Sequence, residues 1–257
     1  MARQKGIMKL EGTIGDVSFY KTSDGYLARE KGGVDADRIK NDPAFQRTRE
    51  NGSEFGKAGR AGRVLRTAFR LLLQNAADKK VTSRLTKEMI RVIQSDAVNE
   101  RGKRTVTAGI QGLLSGFDFN INSKLSATLF TPYVPAIDRV AGTLNVSIPE
   151  FVPGNTIVGP QGATHVKIVS AGAAINYEDE TFEVTVTKSN DLALGSQLEE
   201  AIELSNAVAA NNQQSLYLVL GLEFVQSVNG EMYPLKNGSF NPLTLVAVDQ
   251  PAAVEEN

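Results

Sequence analysis

Catalysis needs nucleophiles, bases or metal ligands that converge, and this chain has few to converge. It contains no cysteine and a single histidine, His165. A thiolate nucleophile, a thiolate zinc site and a disulfide framework are thereby excluded, and any Ser–His–Asp relay would depend on His165. That residue opens "HVKIVSAG", which reads as a strand, so a structural role is expected. No G-x-S-x-G, Walker A or G-x-G-x-x-G spacing occurs, and "GPQG" at 159–162 reads as a turn. The pairs Glu178 with Glu180 and Glu199 with Glu203 could serve acid–base work. Glu178-Asp179-Glu180 could offer oxygens to calcium, but the spacing of an EF-hand loop is missing. Acidic surface is the simpler reading. The chain is expected not to be an enzyme, and to hold no metal, no cofactor and no small-molecule substrate.

The sharper chemistry is cationic. On a helical wheel of "RTRENGSEFGKAGRAGRVLRTAFRLLLQ", Ala58, Ala61, Val64, Leu65, Ala68 and Leu72 fall on one side, with Phe69 at its edge. Arg60, Arg63, Arg66 and Arg70 fall on the other. Gly52, Gly56 and Gly59 join the arginine side if the helix extends back, so a partner could approach the backbone while guanidinium groups grip it. Each glycine costs roughly 1 kcal/mol relative to alanine in a helix interior, so the helix is placed at 60–76, with 43–59 as its extension. Three uses compete for this face: plain solvation, an acidic protein partner, and nucleic acid. Single-strand binding would want aromatics interleaved with the cations; Phe69 is the only one within 60–76 and it sits at the edge of the apolar face, which leaves nucleic acid the runner-up.

The charge layout supports a protein partner. Residues 1–120 carry 23 Lys+Arg against 14 Asp+Glu, and residues 121–257 carry 5 against 15, although the whole chain nets −1. Such halves attract each other, within one chain or between neighbours. No signal-peptide pattern opens the chain and no apolar run reaches membrane-spanning length. A cytoplasmic product without membrane contact is expected, with signal-less export or release by lysis left open.

The elements that must position these residues follow from pattern. Asp24-Gly25 suits a type I′ hairpin turn, flanked by "VSFYK" and "YLAREK", whose Phe19, Tyr20 and Tyr26 are candidate partner-binding residues. A lone hairpin is marginal in water, so this one needs something to lean on. Asp42 is a good N-cap with Pro43 behind it. A second helix runs through "TSRLTKEMIRVIQSDA", with Leu85, Met89, Val92, Ile93 and Asp96 in helical register and Thr82 or Ser83 as cap. From about residue 117 the texture turns to short strands, with hairpin turns at Asn229-Gly230 and Asn237-Gly238. Residues 197–209 fit a helix or a strand with a loop, and "PAAVEEN" reads as a disordered end. The expected fold is α+β in two parts. Residues 1–116 form an N-terminal β-hairpin plus amphipathic, basic helices, and 117–257 an antiparallel Ig-like β-sandwich domain.

The block "KGIMKLEGTIGDVSFYKTSDGYLAREKGG", followed by "NDPAFQRTRENGSEFG", resembles an uncharacterised protein family of Bacteroidota. The resemblance covers roughly the first 100 residues and implies the layout of Gly-rich hairpin, basic helical middle and β-rich C-terminal half, with no known activity. Together these features point to a structural subunit that assembles with itself into a phage-like filament, tube or shell. Strand addition and basic-to-acidic contacts would join the copies.

Overall fold

The computed structural model describes residues 2–30, 33–76, 78–235 and 238–251 of the 257, and the chain falls into two compact units, Met1–Glu50 and Asn51–Asn257. The break in packing therefore lies near residue 50, not near 117 where the sequence texture changes.

In the first unit the N-terminal hairpin is not alone. Strands β1 (Ala2–Arg3), β2 (Gly12–Ile14), β3 (Val17–Thr22) and β4 (Gly25–Glu30) form one antiparallel sheet in the order β1-β4-β3-β2. The β3–β4 turn is Ser23-Asp24, one residue earlier than the type I′ expectation. Thr22 pairs with Gly25, and Gly25 carries the positive φ of 109°. A type I′ turn would put two side-chain-bearing residues at positive φ; a type I turn followed by glycine places that strain on glycine alone. A second tight turn, Gly15-Asp16, joins β2 to β3, with Gly15 at φ 56°. Helix α1 (Ala36–Asn41) is capped by Asp35, and Asp42 caps the 3-10 turn Pro43–Phe45 by accepting from the Ala44 amide at 2.9 Å. No described residue of this unit is buried.

The second unit has a three-layer build. Helix α2 (Gln46–Ala68) is continuous through the glycines, so it starts well before residue 60. Burial of Ala58, Ala61, Val64, Leu65 and Ala68 in the core offsets the cost of these glycines, and a Cβ at buried Gly62 would make ordinary contacts with Leu85 and Met89 of α4 (Val81–Gln94) at 3.6–3.8 Å. The helix expected to reach residue 76 instead breaks at Phe69 (φ −93°, ψ 18°), which is buried, and resumes as α3 (Arg70–Leu73). In α4 the buried residues are Leu85, Met89, Val92 and Ile93, as the periodicity requires, but its N-cap is Lys80 and not Thr82 or Ser83.

After α4 come β5 (Val134–Asp138), β6 (Thr143–Ile148), the single turn α5 (Pro153–Thr156), β7 (His165–Asn176), β8 (Thr181–Lys188), β9 (Leu192–Ala193), β10 (Ile202–Ala207), β11 (Ser215–Val228), β12 (Glu231–Pro234) and β13 (Leu243–Asp249). Residues 202–207 thus resolve the 197–209 ambiguity as strand. The large sheet runs β12-β11-β7-β8, with β13 also on β11 and β9 also on β7, and the small sheet runs β10-β6-β5. Every pairing is antiparallel. Because side chains alternate along a strand, β7 and β11 feed two cores. Val169, Ala171, Ala173, Tyr217 and Val219 face α2 and α4. Ile168, Leu216, Leu218, Leu220 and Leu222 face Leu144, Val146, Ile148 and Leu204 of the small sheet. A sheet covered on both faces needs near-continuous apolar strands, which is what "SLYLVLGLEF" supplies. The helices share a core with the strands, so they belong with them in one body.

The Asn229-Gly230 turn joins β11 to β12 as expected, with φ of 51° and 86°. Asn237, half of the other expected turn, lies outside the described residues, as do residues 252–257 of the tail.

Candidate interaction surfaces

The arginine face forms on α2 and looks outward from the helical layer. Arg63 Nη2 donates to Glu180 Oε2, and Arg60 Nε lies 3.9 Å from Glu180 Oε1. Glu180 sits in the β7–β8 turn at φ 54°, where Asn176 Oδ1 accepts from the Glu178 and Asp179 amides at 2.9 and 3.2 Å. Basic helix and acidic strand turn therefore already meet inside one chain. Both arginines remain about 60% exposed, so this contact is worth at most about 1 kcal/mol per pair. Arg66 is half-buried, its Nε has no hydrogen-bond partner, and burial pulls its pKa down. Arg70 is exposed and lines, with Arg66, Leu73 and Val81, a shallow cavity of about 410 Å³.

Helix α4 extends the cationic surface with Arg84, Lys87 and Arg91, on the wall of a cleft of about 460 Å³ that Lys124 also lines. Arg84 is the fixed member. Its Nη2 donates to Asp78 Oδ2 at 2.6 Å and to the carbonyls of Asp118 and Phe119 at 2.7 and 3.2 Å, and it lies over the Phe117 ring at 5.0 Å. Burial alone would raise the Asp78 carboxyl; donation from the Lys80 amide, Arg84 and the Ile121 amide outweighs it and holds the pKa below the ordinary range. Arg91 pairs with Glu88 at 2.9 Å. Lys87 has no partner among the described residues.

The opposite outer layer is acidic. On and beside the small sheet, Glu150, Glu199, Glu200 and Glu203 make no ion pair among the described residues. Glu203 faces outward opposite Ser147, and Glu199 bridges to Phe151. Arg139, at the β5–β6 turn, is already committed to Asp249 at 2.6 Å and to the carbonyls of Asn212 and Gln214. The second unit thus carries cations on its helical face and unpaired carboxylates on its small-sheet face, with the large sheet between.

In the first unit the three aromatic candidates divide between two faces. The register puts Phe19 and Tyr26 with Ile14, Val17 and Ala28 on one face, and Tyr20 with Leu27 on the other. Lys21 lies 5.5 Å from the Tyr26 ring centroid and Arg29 lies 5.6 Å from that of Tyr20. Strands β1 and β2 escape sequence inspection because two or three residues are too few to show an alternation.

The residues weighed for catalysis stay apart. His165, at the start of β7, meets Thr164 Oγ1 at 2.9 Å through Nδ1. Among the described residues no group of three His, Cys, Asp or Glu side chains could hold a metal ion, and no helix is long and apolar enough to cross a membrane. Pattern inspection missed the buried polar chain Tyr177–Tyr217–Gln111. Tyr177 Oη donates to Tyr217 Oη at 2.7 Å, and Tyr217 donates to Gln111 Oε1 at 2.6 Å. Burial pushes both phenols above their ordinary pKa, and the chain ties the sheet to the turn after α4. No family model matches the protein, and no curated protein or solved structure is found to be similar to it.

Proposed function

We propose that this chain is a non-enzymatic structural subunit that assembles with copies of itself into a filament, tube or shell. The basic helical layer of one copy would seat on the acidic small-sheet layer of the next. The observation that carries this reading is the placement of opposite charge on opposite outer layers of one body. A contact between two different patches is heterologous, and it closes into a ring or continues as a filament according to the rotation it imposes. The stacked antiparallel sheets would serve as an Ig-like scaffold between those layers, a likeness of architecture alone. The first unit supports the same reading: a four-stranded sheet without a buried residue has its apolar face still to cover. A nucleic-acid role is less well supported, because the carboxylates of the same body, Glu180 beside Arg60 and Arg63 among them, would repel a polyanion.

Size-exclusion chromatography with light scattering tests the proposal. The purified chain should form large species at low salt that shrink as salt is raised. Arg63→Glu with Arg66→Glu should weaken assembly, as should Glu200→Lys with Glu203→Lys, while circular dichroism stays unchanged. A monomer at every salt concentration would refute the reading.

A further inference from the structure

Residues 55–77 carry Lys57, Arg60, Arg63, Arg66 and Arg70 and no carboxylate. Arg60 and Arg63 meet Glu180, but Arg66 and Arg70 have no ion-pair partner among the described residues. Both line the shallow cavity of about 410 Å³ between the α2–α3 break and the start of α4, with Thr67, Leu73, Gln74 and Val81 as its other walls. Asp78, the carboxylate that follows in sequence, is committed to Arg84 at 2.6 Å. Arg66 carries the sharper demand. It is half-buried and its Nε is enclosed without an acceptor, so the guanidinium has lost part of its water and gained no counter-charge. An incoming carboxylate would offset that cost. Val81 opens α4, and Lys80 at its N-cap makes no side-chain bond to the first turn, so the positive end of that helix adds to the same field. The cavity thus fits an acidic group accompanied by an apolar one that can meet Leu73 and Val81.

Most carboxylates of the second unit are already engaged. Glu223 pairs with Lys188, Asp191 with Lys167, Asp249 with Arg139 and Glu88 with Arg91, and Glu178 lies on the helical side near Arg60. Glu231 is unpaired among the described residues but stands singly in β12. Glu150, Glu199, Glu200 and Glu203 are unpaired together on the small-sheet layer, and Leu198 beside them is 60% exposed. No Lys or Arg occurs from residue 189 to 235. We infer that the cavity at Arg66 and Arg70 is a socket into which a second copy inserts residues 198–200, its carboxylates on the guanidinium groups and Leu198 against Leu73 and Val81. A guanidinium takes a carboxylate through two parallel N–H donors, which adds direction to the charge. A copy does not fill its own socket, because the large sheet separates the helical layer from the small-sheet layer. This inference rests on the self-assembly reading and names the contact that would serve it.

The absence of cysteine makes the contact testable by disulfide formation in the full-length chain. Thr67→Cys and Gln74→Cys, each at the wall of the cavity, are mixed with Leu198→Cys or with Glu231→Cys, oxidised, and resolved without reductant. A disulfide requires Cα atoms within about 4.4–6.8 Å, so Leu198→Cys should give intermolecular dimers well above background and Glu231→Cys background alone. In parallel, Arg70→Glu and Glu200→Arg should each reduce the assemblies seen by light scattering, and both changes in one chain should restore them. Background with Leu198→Cys, or no restoration by the charge exchange, while the unmodified chain still assembles, would overturn the socket and leave the subunit reading standing. Dimers with Glu231→Cys would overturn the choice of occupant. Monomers of the unmodified chain at every salt concentration would remove the reading and this inference with it.

Discussion

Replacing Gly56 and Gly59 together by alanine should stabilise the isolated subunit and weaken its assembly. Both lie inside α2. An added Cβ at Gly59 meets nothing within 4 Å, and one at Gly56 meets only Arg60 Nη1 at 3.8 Å. No clash therefore opposes the gain in helix propensity, about 0.8–1.0 kcal/mol per site, or about 2 kcal/mol for the pair. For a body of this size about 1 kcal/mol moves the midpoint by roughly 2–4 °C, so the double variant should melt about 4–8 °C higher. Calorimetry in high salt, with assemblies dissociated, reads this directly. An unchanged or lower Tm would refute the argument that these glycines lack a conformational role within the subunit. Light scattering on the same variant reads the second half. If a neighbour packs on this face, two methyl groups hold it away and assembly weakens. Assembly at wild-type strength would move the interface off the glycine side of α2.

Three further outcomes follow from single sites. Buried Asp96 accepts from the Val98, Asn99 and Thr105 amides and from Asn99 Nδ2, all at 2.9–3.0 Å, so Asp96→Asn should cost about 2–4 kcal/mol at pH 7. Burial opposes ionisation there, but the hydrogen bonds prevail and hold its pKa down. Its stabilisation is full above the unfolded value of about 3.9 and fades as pH falls through the folded one, so urea midpoints of wild type and variant should converge as pH falls below the unfolded value. Gly172→Ala would set a Cβ 2.9 Å from Asn206 Cβ and 3.1 Å from Leu144 Cβ between the two sheets, and should cost about 1–3 kcal/mol in chemical denaturation. Should the four arginines of α2 instead grip duplex DNA, log affinity would fall against log salt with a slope of about −3.6; purified protein is expected to show neither that slope nor a nuclease-sensitive absorbance at 260 nm.

The helices and central strands were legible because their side chains obey one period over many residues. Leu85, Met89, Val92 and Ile93 are buried where the 3.6-residue pattern puts them. The continuity of α2 was not legible, because propensity counts four glycines against it and cannot weigh the burial of Ala58, Ala61, Val64, Leu65 and Ala68 that offsets them. The break at Phe69 was hidden for the converse reason. Local pattern favours helix throughout, and only burial of the ring beside Phe119 (centroids 6.2 Å apart) explains the departure. The arginine face was visible on a wheel, but its contact with Glu180, 117 residues away, depends on a strand turn that no local pattern locates. The N-terminal sheet was half visible: the Asp24-Gly25 turn signal marked β3 and β4, whereas β1 and β2 are too short to carry a pattern.

The two kinds of contact proposed here do different work, and each covers a weakness of the other. Charged layers act over about a Debye length, roughly 8–10 Å at ordinary salt, and can orient an approaching copy before anything touches. They hold it weakly, since exposed ion pairs are worth about 0–1 kcal/mol each. Strand addition acts only in contact and is indifferent to most side chains, so by itself it would accept many edges. The edge of β13, bonded to residues 116–119, and that of β10, met by Thr185 and Thr187 of β8, are closed to an added strand, so strand addition is confined to edges left uncovered.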